Sequence, residues 1–168
     1  MEKYTRVISI AASQDVAIFE PDAPITAFAA VVYENGKAIK ETLICLPNAL
    51  VNKLSYSQLV EDHATLAQLF ENFLDRYYNE KNTALLIDMS NAATLKGLFD
   101  IGCWNILDSG FGYNVIDIST CLKVTGHNDD AFSYLENHSL AVCTQELGYY
   151  NPINAARDAA ECFFHLFN

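Results

Sequence analysis

Positive charge is what this sequence has least of. Ten Lys and Arg stand against 21 Asp and Glu in 168 residues, a formal net charge of -11 at pH 7. Such a balance repels a polyanion at long range and supplies few phosphate contacts, which argues against tight, sequence-independent DNA binding. It keeps a protein soluble, and it also suits an inhibitor or assembly protein that captures a basic partner.

Other absences narrow the field further. The five cysteines, Cys45, Cys103, Cys121, Cys143 and Cys162, include no Cys-x-x-Cys and no close pair. An odd, scattered set reads as buried thiols in a reducing compartment, not as a disulfide framework. Glu2, Lys3 and Arg6 interrupt the opening residues, and no apolar run approaches the length of a membrane span. The expectation is a cytoplasmic protein with no membrane contact. Internal repeats, low-complexity tracts and linkers are missing too, so residues 1–168 are expected to form a single domain. Finally there is no Gly-x-Ser-x-Gly, no His-Glu-x-x-His, no phosphate-cradling glycine loop and no Cys–His arrangement with catalytic spacing.

Hydrophobic residues make up 51% of the chain and charged residues 18%, ample for a folded core. "RVISIAAS" (6–13) and "ITAFAAVVY" (25–33) are apolar at nearly every position, as strands covered on both faces are. "ENGK" (34–37) supplies Asn-Gly for a tight turn, and "AIKETLICL" (38–46) completes a hairpin. A loop is expected over 46–58. From Leu59 the spacing of Leu59, His63, Leu66, Phe70, Phe73 and Tyr77 predicts one helix, with His63 in or beside the core.

Strand 83–89 follows, then helix 91–107, strand 113–119 and a helical stretch 129–147 that breaks near Asn137. In the closing helix, 151–167, Asn151 suits the cap and Pro152 the first turn. Ala156, Ala159, Phe163 and Leu166 there make the buried stripe. Tyr149 and Tyr150, just before it, read as packing residues ahead of base-stacking ones.

Three motifs give this order a family likeness. "HSLAVCTQELGYYNPINAARDAAECFFHLF" carries Ser139, Leu140, Leu147 and Gly148, then Ala155, Asp158 and Ala159. "VIDIS" (115–119) resembles a Val-Ile-Asp-Thr strand start, with Asp117 in place. With the strand–hairpin–helix opening, these residues resemble the DnaQ-like (DEDDh) 3′–5′ exonucleases of the ribonuclease H-like fold, over almost the whole chain. The resemblance implies an α/β fold in which helices flank a mixed sheet of about five strands containing an antiparallel hairpin. It also implies a possible homodimer.

Chemistry of that family uses four carboxylates and a histidine base around two divalent cations about 4 Å apart. Hard cations of the Mg or Mn type require oxygen ligands. The resemblance puts the first motif, Asp-x-Glu, on Ala11, Ala12 and Ser13, and the metal-binding Asp of the second on Ala93. The histidine of the third falls on Ile153, five residues before Asp158.

Asp158 is thus the surviving carboxylate of a vestigial cleft formed by Ala11, Ser13, Ala93, Ile153 and Asp158; its ordinary reading is a helix-start acid favoured by the dipole. Asp88 and Asp158 are the weak metal candidates, with Asp15 a further loop acid, and the ordinary reading of Asp88 is that it caps or solvates the turn into the next helix. His63, His127, His138 and His165 do not sit where the missing base belongs.

The expectation is a catalytically degenerate exonuclease-like module that binds or regulates, without a cofactor, its partner a protein or a short nucleic acid. The alternatives are a residual metal-dependent 3′–5′ exonuclease using Mg or Mn, and the acidic inhibitor or assembly protein.

Overall fold

The computed structural model describes residues 4–15, 20–51, 54–55, 57–100, 114–142 and 151–167. Six strands form one sheet: β1 (Arg6–Ser13), β2 (Ala27–Glu34), β3 (Lys37–Cys45), β4 (Gln58–Leu59), β5 (Thr83–Ile87) and β6 (Val115–Asp117). Their spatial order is β4-β3-β2-β1-β5-β6. β2 runs antiparallel to both β1 and β3, whereas β5 is parallel to β1 and to β6. The hairpin turn has Asn35 at φ 50° and Gly36 at φ 75°, the left-handed pair that Asn-Gly accommodates and that matches strand twist.

β1 and β2 are central, and alternation sends their side chains into two separate cores. Val7, Ala11, Ala27, Ala29, Val31 and Tyr33 point to one face; Ile8, Ile10, Ala12, Phe28, Ala30 and Val32 point to the other. That is why neither strand shows a polar alternation in sequence.

Helices α1 (His63–Tyr77) and α2 (Ala92–Asp100) cover the second face. α3 (Ile118–Val124), α4 (Ala131–Asn137) and α5 (Pro152–Phe167) cover the first. Leu66, Phe70 and Leu74 of α1 reach the core, and the Phe70 ring stacks on Phe28 at 4.5 Å between centroids. α2 approaches the sheet through Gly97: a Cβ there would lie 2.6 Å from Phe28 Cε1 and 3.2 Å from Ala12 Cβ. The glycine that weakens α2 by propensity is what lets it pack.

α5 lies across β1 and β2, where alanines meet alanines. Ala156, Ala159 and Ala160 share a core with Ala11, Ala27 and Ala29, so helix and sheet come close. Asn151 Oδ1 accepts from the Ile153 amide at 3.0 Å, capping the first turn as its sequence position promised. Arg157 fixes the helix laterally, its Nε and Nη2 donating to the two Glu41 carboxylate oxygens of β3 at 2.8 and 2.7 Å.

Several expected elements differ in extent. α1 begins at His63, not Leu59: Asp62 takes the N-cap, accepting from the Thr65 amide at 2.8 Å, and His63 is exposed instead of in or beside the core. Leu59 instead pairs in β4, a two-residue edge strand parallel to β3 inside the expected 46–58 loop and its border. This makes six strands among the described residues where about five were expected.

The strand expected over 113–119 ends at Asp117, and α3 takes the next seven residues. The described part of the 129–147 stretch is helical over Ala131–Asn137 and breaks there as expected, with His138 as C-cap and Ser139 at φ 57°. Leu166 is partly buried, unlike the rest of its stripe. Residues 101–107 of the second helix, residues 143–147, Cys103, Cys143, Tyr149 and Tyr150 lie outside the described residues.

Candidate functional site

The fold gathers most of the singled-out positions at one end of the sheet, where the parallel strands β1, β5 and β6 finish. Ser13 ends β1, Asp88 follows β5 and Asp117 ends β6. The strand register explains the opening there: β1 pairs with β5 from Arg6↔Thr83 to Ser9↔Leu86, and beyond Ser9 its β5-facing edge needs other partners. The Ala12 amide donates to Thr94 Oγ1 at 3.0 Å, so α2 closes the edge that β5 leaves.

Ala11 and Ile153 meet in the same apolar core beneath α5, at 3% and 0% exposure. Ser13 shares the Ala11 face of β1 by alternation; it is buried, and its Oγ has no hydrogen-bond partner. Asp158 is buried on α5 at 2% exposure. Being the seventh residue of that helix, it stands in the second turn, where the dipole's pull on a first-turn acid has faded. Ala93 does not join this group. It packs against the opposite core, with Phe28 and Leu98, on the α2 side of the sheet.

The remaining acids have structural employment. Asp15 Oδ1 accepts from Thr26 Oγ1 and from the Leu50 amide, each at 2.8 Å, fastening two loops together. Asp88 Oδ1 accepts from the Ser90 amide at 2.9 Å and the Ser90 hydroxyl at 2.6 Å. It closes the turn; the α2 end is served by Asn91, whose Oδ1 accepts from the Thr94 amide at 3.2 Å. Asp88 therefore holds the turn into α2, as its ordinary reading has it, while Asn91 caps the helix itself. Asp117 Oδ1 accepts from the Met89 amide at 2.9 Å, and the Ser119 and Thr120 amides also donate to its carboxylate.

Two aspartates 29 residues apart in sequence are thus driven in opposite directions. Burial pushes the Asp88 carboxyl up, and the negative charges of Asp117 and Asp130 add to it against the Ser90 hydrogen bonds. Burial also acts on Asp117, but donors from Thr120, Met89 and Ser119 outweigh it and hold that carboxyl below its ordinary range. The Cys162 thiol is pushed up to about 12 by burial, then by Asp88 and Cys121. Cys162 lies one helical turn beyond Asp158 on α5.

A two-cation centre of the expected kind does not fit these residues. Ala11, Ala93 and Ile153 offer no donor atom, and Ser13 offers a neutral hydroxyl inside an apolar core. Among the described residues no group of three or more His, Cys, Asp and Glu side chains is placed to hold an ion.

Sequence reading missed Thr94 and Asp130, which hydrogen-bond to Ala12 and act on the Asp88 charge respectively. Asp130 caps α4 by accepting from the Ser133 amide at 2.7 Å, and Asp117 caps α3 in the same way. Both show the available signal, an Asp with Ser or Thr two or three residues on.

Comparison with known proteins agrees at the level of fold. No family model matches the sequence, and no curated protein matches it. Among solved structures it is similar to the crystal structure of cell-death related nuclease 4. The TM-score is 0.61 at 10% identity, over 99% of this chain and 64% of that one. The chain thus corresponds to less than two thirds of that protein's length. At this identity the likeness is one of architecture, and it makes the mixed α/β sheet with its antiparallel strands an exonuclease-like, ribonuclease H-like fold.

Proposed function

We propose that this chain is a catalytically degenerate exonuclease-like domain, a binding or regulatory module in which the nuclease architecture persists without the chemistry. What carries the reading is the burial of Ala11 and Ile153 in one apolar core, on the positions that resemblance assigns to a metal-binding acid and the general base. Metal-assisted phosphodiester cleavage needs hydrated oxygen ligands and a solvent-reachable base. An alanine and an isoleucine packed among Ala156, Ala159 and Phe163 supply neither.

The partner is a protein or a short nucleic acid, and the net charge of -11 favours a basic protein surface over a long polyanion. No cofactor is part of this reading, and self-association into a homodimer is compatible with it.

A residual Mg- or Mn-dependent exonuclease is the competing reading, favoured by the retention of a buried carboxylate, Asp158, on α5. Titration calorimetry with Mn separates them. The degenerate module takes up no Mn that depends on Asp158, so the wild type and Asp158→Asn give the same isotherm. A Mn site present in the wild type and lost in Asp158→Asn contradicts it.

A further inference from the structure

At the far end of α5 from Asn151, three elements bring three of the chain's four histidines around one tyrosine. His127 comes from the α3–α4 connection, His138 is the C-cap of α4, and His165 sits in the last turn of α5. Their ring centroids lie 4.8, 4.1 and 5.7 Å from that of Tyr134. His127 to His138 and His138 to His165 are each 5.5 Å. We propose that these imidazoles form a surface site for a late first-row transition cation of the zinc, copper(II) or nickel(II) class, with His138 as its hub.

Spacing and hydrogen bonding both support a shared ion. Two imidazoles on one tetrahedral cation, each with a metal–nitrogen distance of about 2.1 Å, hold their ring centres roughly 5 Å apart. Both histidine pairs have that separation. His138 Nδ1 is 2.8 Å from the Tyr134 carbonyl oxygen, which can only accept, so Nδ1 carries the proton and the neutral ring presents its Nε2 lone pair. A backbone carbonyl on the far nitrogen is the usual way a metal-binding imidazole is oriented.

His165 Nδ1 is 2.9 Å from Tyr134 Oη, and when that nitrogen donates, its Nε2 is likewise left as a ligand. Tyr134 is buried and fixed, so it holds two of the rings from behind. His138 and His165 are exposed and His127 is half-buried, which leaves solvent access.

As they stand, the described side chains do not converge as a closed three-ligand group. The proposed ion is therefore held by His138 and His165, with the His127 ring beside His138. Imidazole prefers late transition metals to Mg or Mn, and the chain's net charge of -11 concentrates cations of any kind. The preference is thus the distinguishing property, not attraction alone.

The test is titration of the full chain with zinc chloride in a non-chelating buffer at neutral pH, followed by nitrogen chemical shifts of the imidazoles. One zinc per chain is expected, shifting Nε2 of His138 and His165. Affinity is expected to fall by about tenfold or more in His138→Gln and in His165→Gln. It stays unchanged in His63→Gln, which removes the histidine outside the cluster, and magnesium in excess does not displace the zinc. Circular dichroism of each variant separates loss of ligand from loss of fold, and these exposed positions are expected to fold. The proposal is overturned if the wild type binds no zinc, if His138→Gln binds as the wild type does, or if Asp88→Asn abolishes binding instead.

Discussion

The Met89 amide donates to Asp117 Oδ1 at 2.9 Å, joining the turn after β5 to the residue that ends β6 and caps α3. One carboxylate therefore sets the spacing of two parallel strand ends and starts the helix beneath α5. Replacing Asp117 by Ala removes the cap and the bridge together, and a loss of about 1–2 kcal/mol is expected from the cap alone. Urea unfolding of the wild type and Asp117→Ala measures it. Because the folded carboxyl lies below its ordinary range, this stabilisation is present above the unfolded-state value near pH 4. It disappears as pH falls through the folded one.

Asp88 has the opposite sign. Burial raises its folded value, so the native state disfavours the charged form, and the resulting destabilisation is present at neutral pH and relieved as pH falls through the folded value. Asn at this position keeps the oxygen that accepts from Ser90 and removes the charge. Asp88→Asn is expected to melt at a higher temperature than the wild type at pH 7, with the advantage vanishing near pH 4. Melting curves at the two pH values check the sign.

Gly97 supplies a test of packing with competing terms. Alanine improves helix propensity by about 1 kcal/mol, but its Cβ would sit 2.6 Å from Phe28 Cε1. Phe28 is itself stacked on Phe70, so it has little room to yield. Overpacking of this sort costs about 1–3 kcal/mol, and Gly97→Ala is expected to be destabilising on balance. Combining it with Phe28→Leu should recover part of the loss relative to additivity, measurable as a double-mutant cycle.

Cys162 should be inert. A thiol pushed up to about 12 has almost no thiolate near neutrality, and the side chain is buried. Alkylation of the native protein at pH 8, followed by peptide mass mapping, is expected to leave Cys162 unmodified until denaturant is added. Rapid native-state labelling would show that burial is not what shields it.

Much of the fold was legible because its signals are local. Continuous apolar runs marked β1, β2 and β5, Asn-Gly marked the hairpin, and Asn151-Pro152 marked the start of α5. Periodicity misled at Leu59, whose spacing matches the α1 stripe although its backbone pairs with β3. Two residues of edge strand carry no pattern of their own. α3 was hidden because Asp117 both ends a strand and opens a helix, and the apolar Ile118 that follows suits either.

The site was legible only as positions. The family resemblance assigned Ala11 and Ile153 to motif positions, and the fold brings the two residues into one core. Ala93 instead packs on the other face, since α2 is placed by Gly97 against Phe28 and by the Thr94–Ala12 hydrogen bond. The histidine cluster was invisible in sequence because its members come from three elements and gather around Tyr134.

The central claim is that the nuclease architecture is retained here without its chemistry. Its most direct test follows end-labelled single-stranded DNA, RNA and short oligonucleotides incubated with the purified chain in Mg and in Mn. No 3′–5′ shortening above the buffer control is expected, with Asp158→Asn indistinguishable from the wild type. Processive or distributive shortening from the 3′ end that disappears in Asp158→Asn would contradict it.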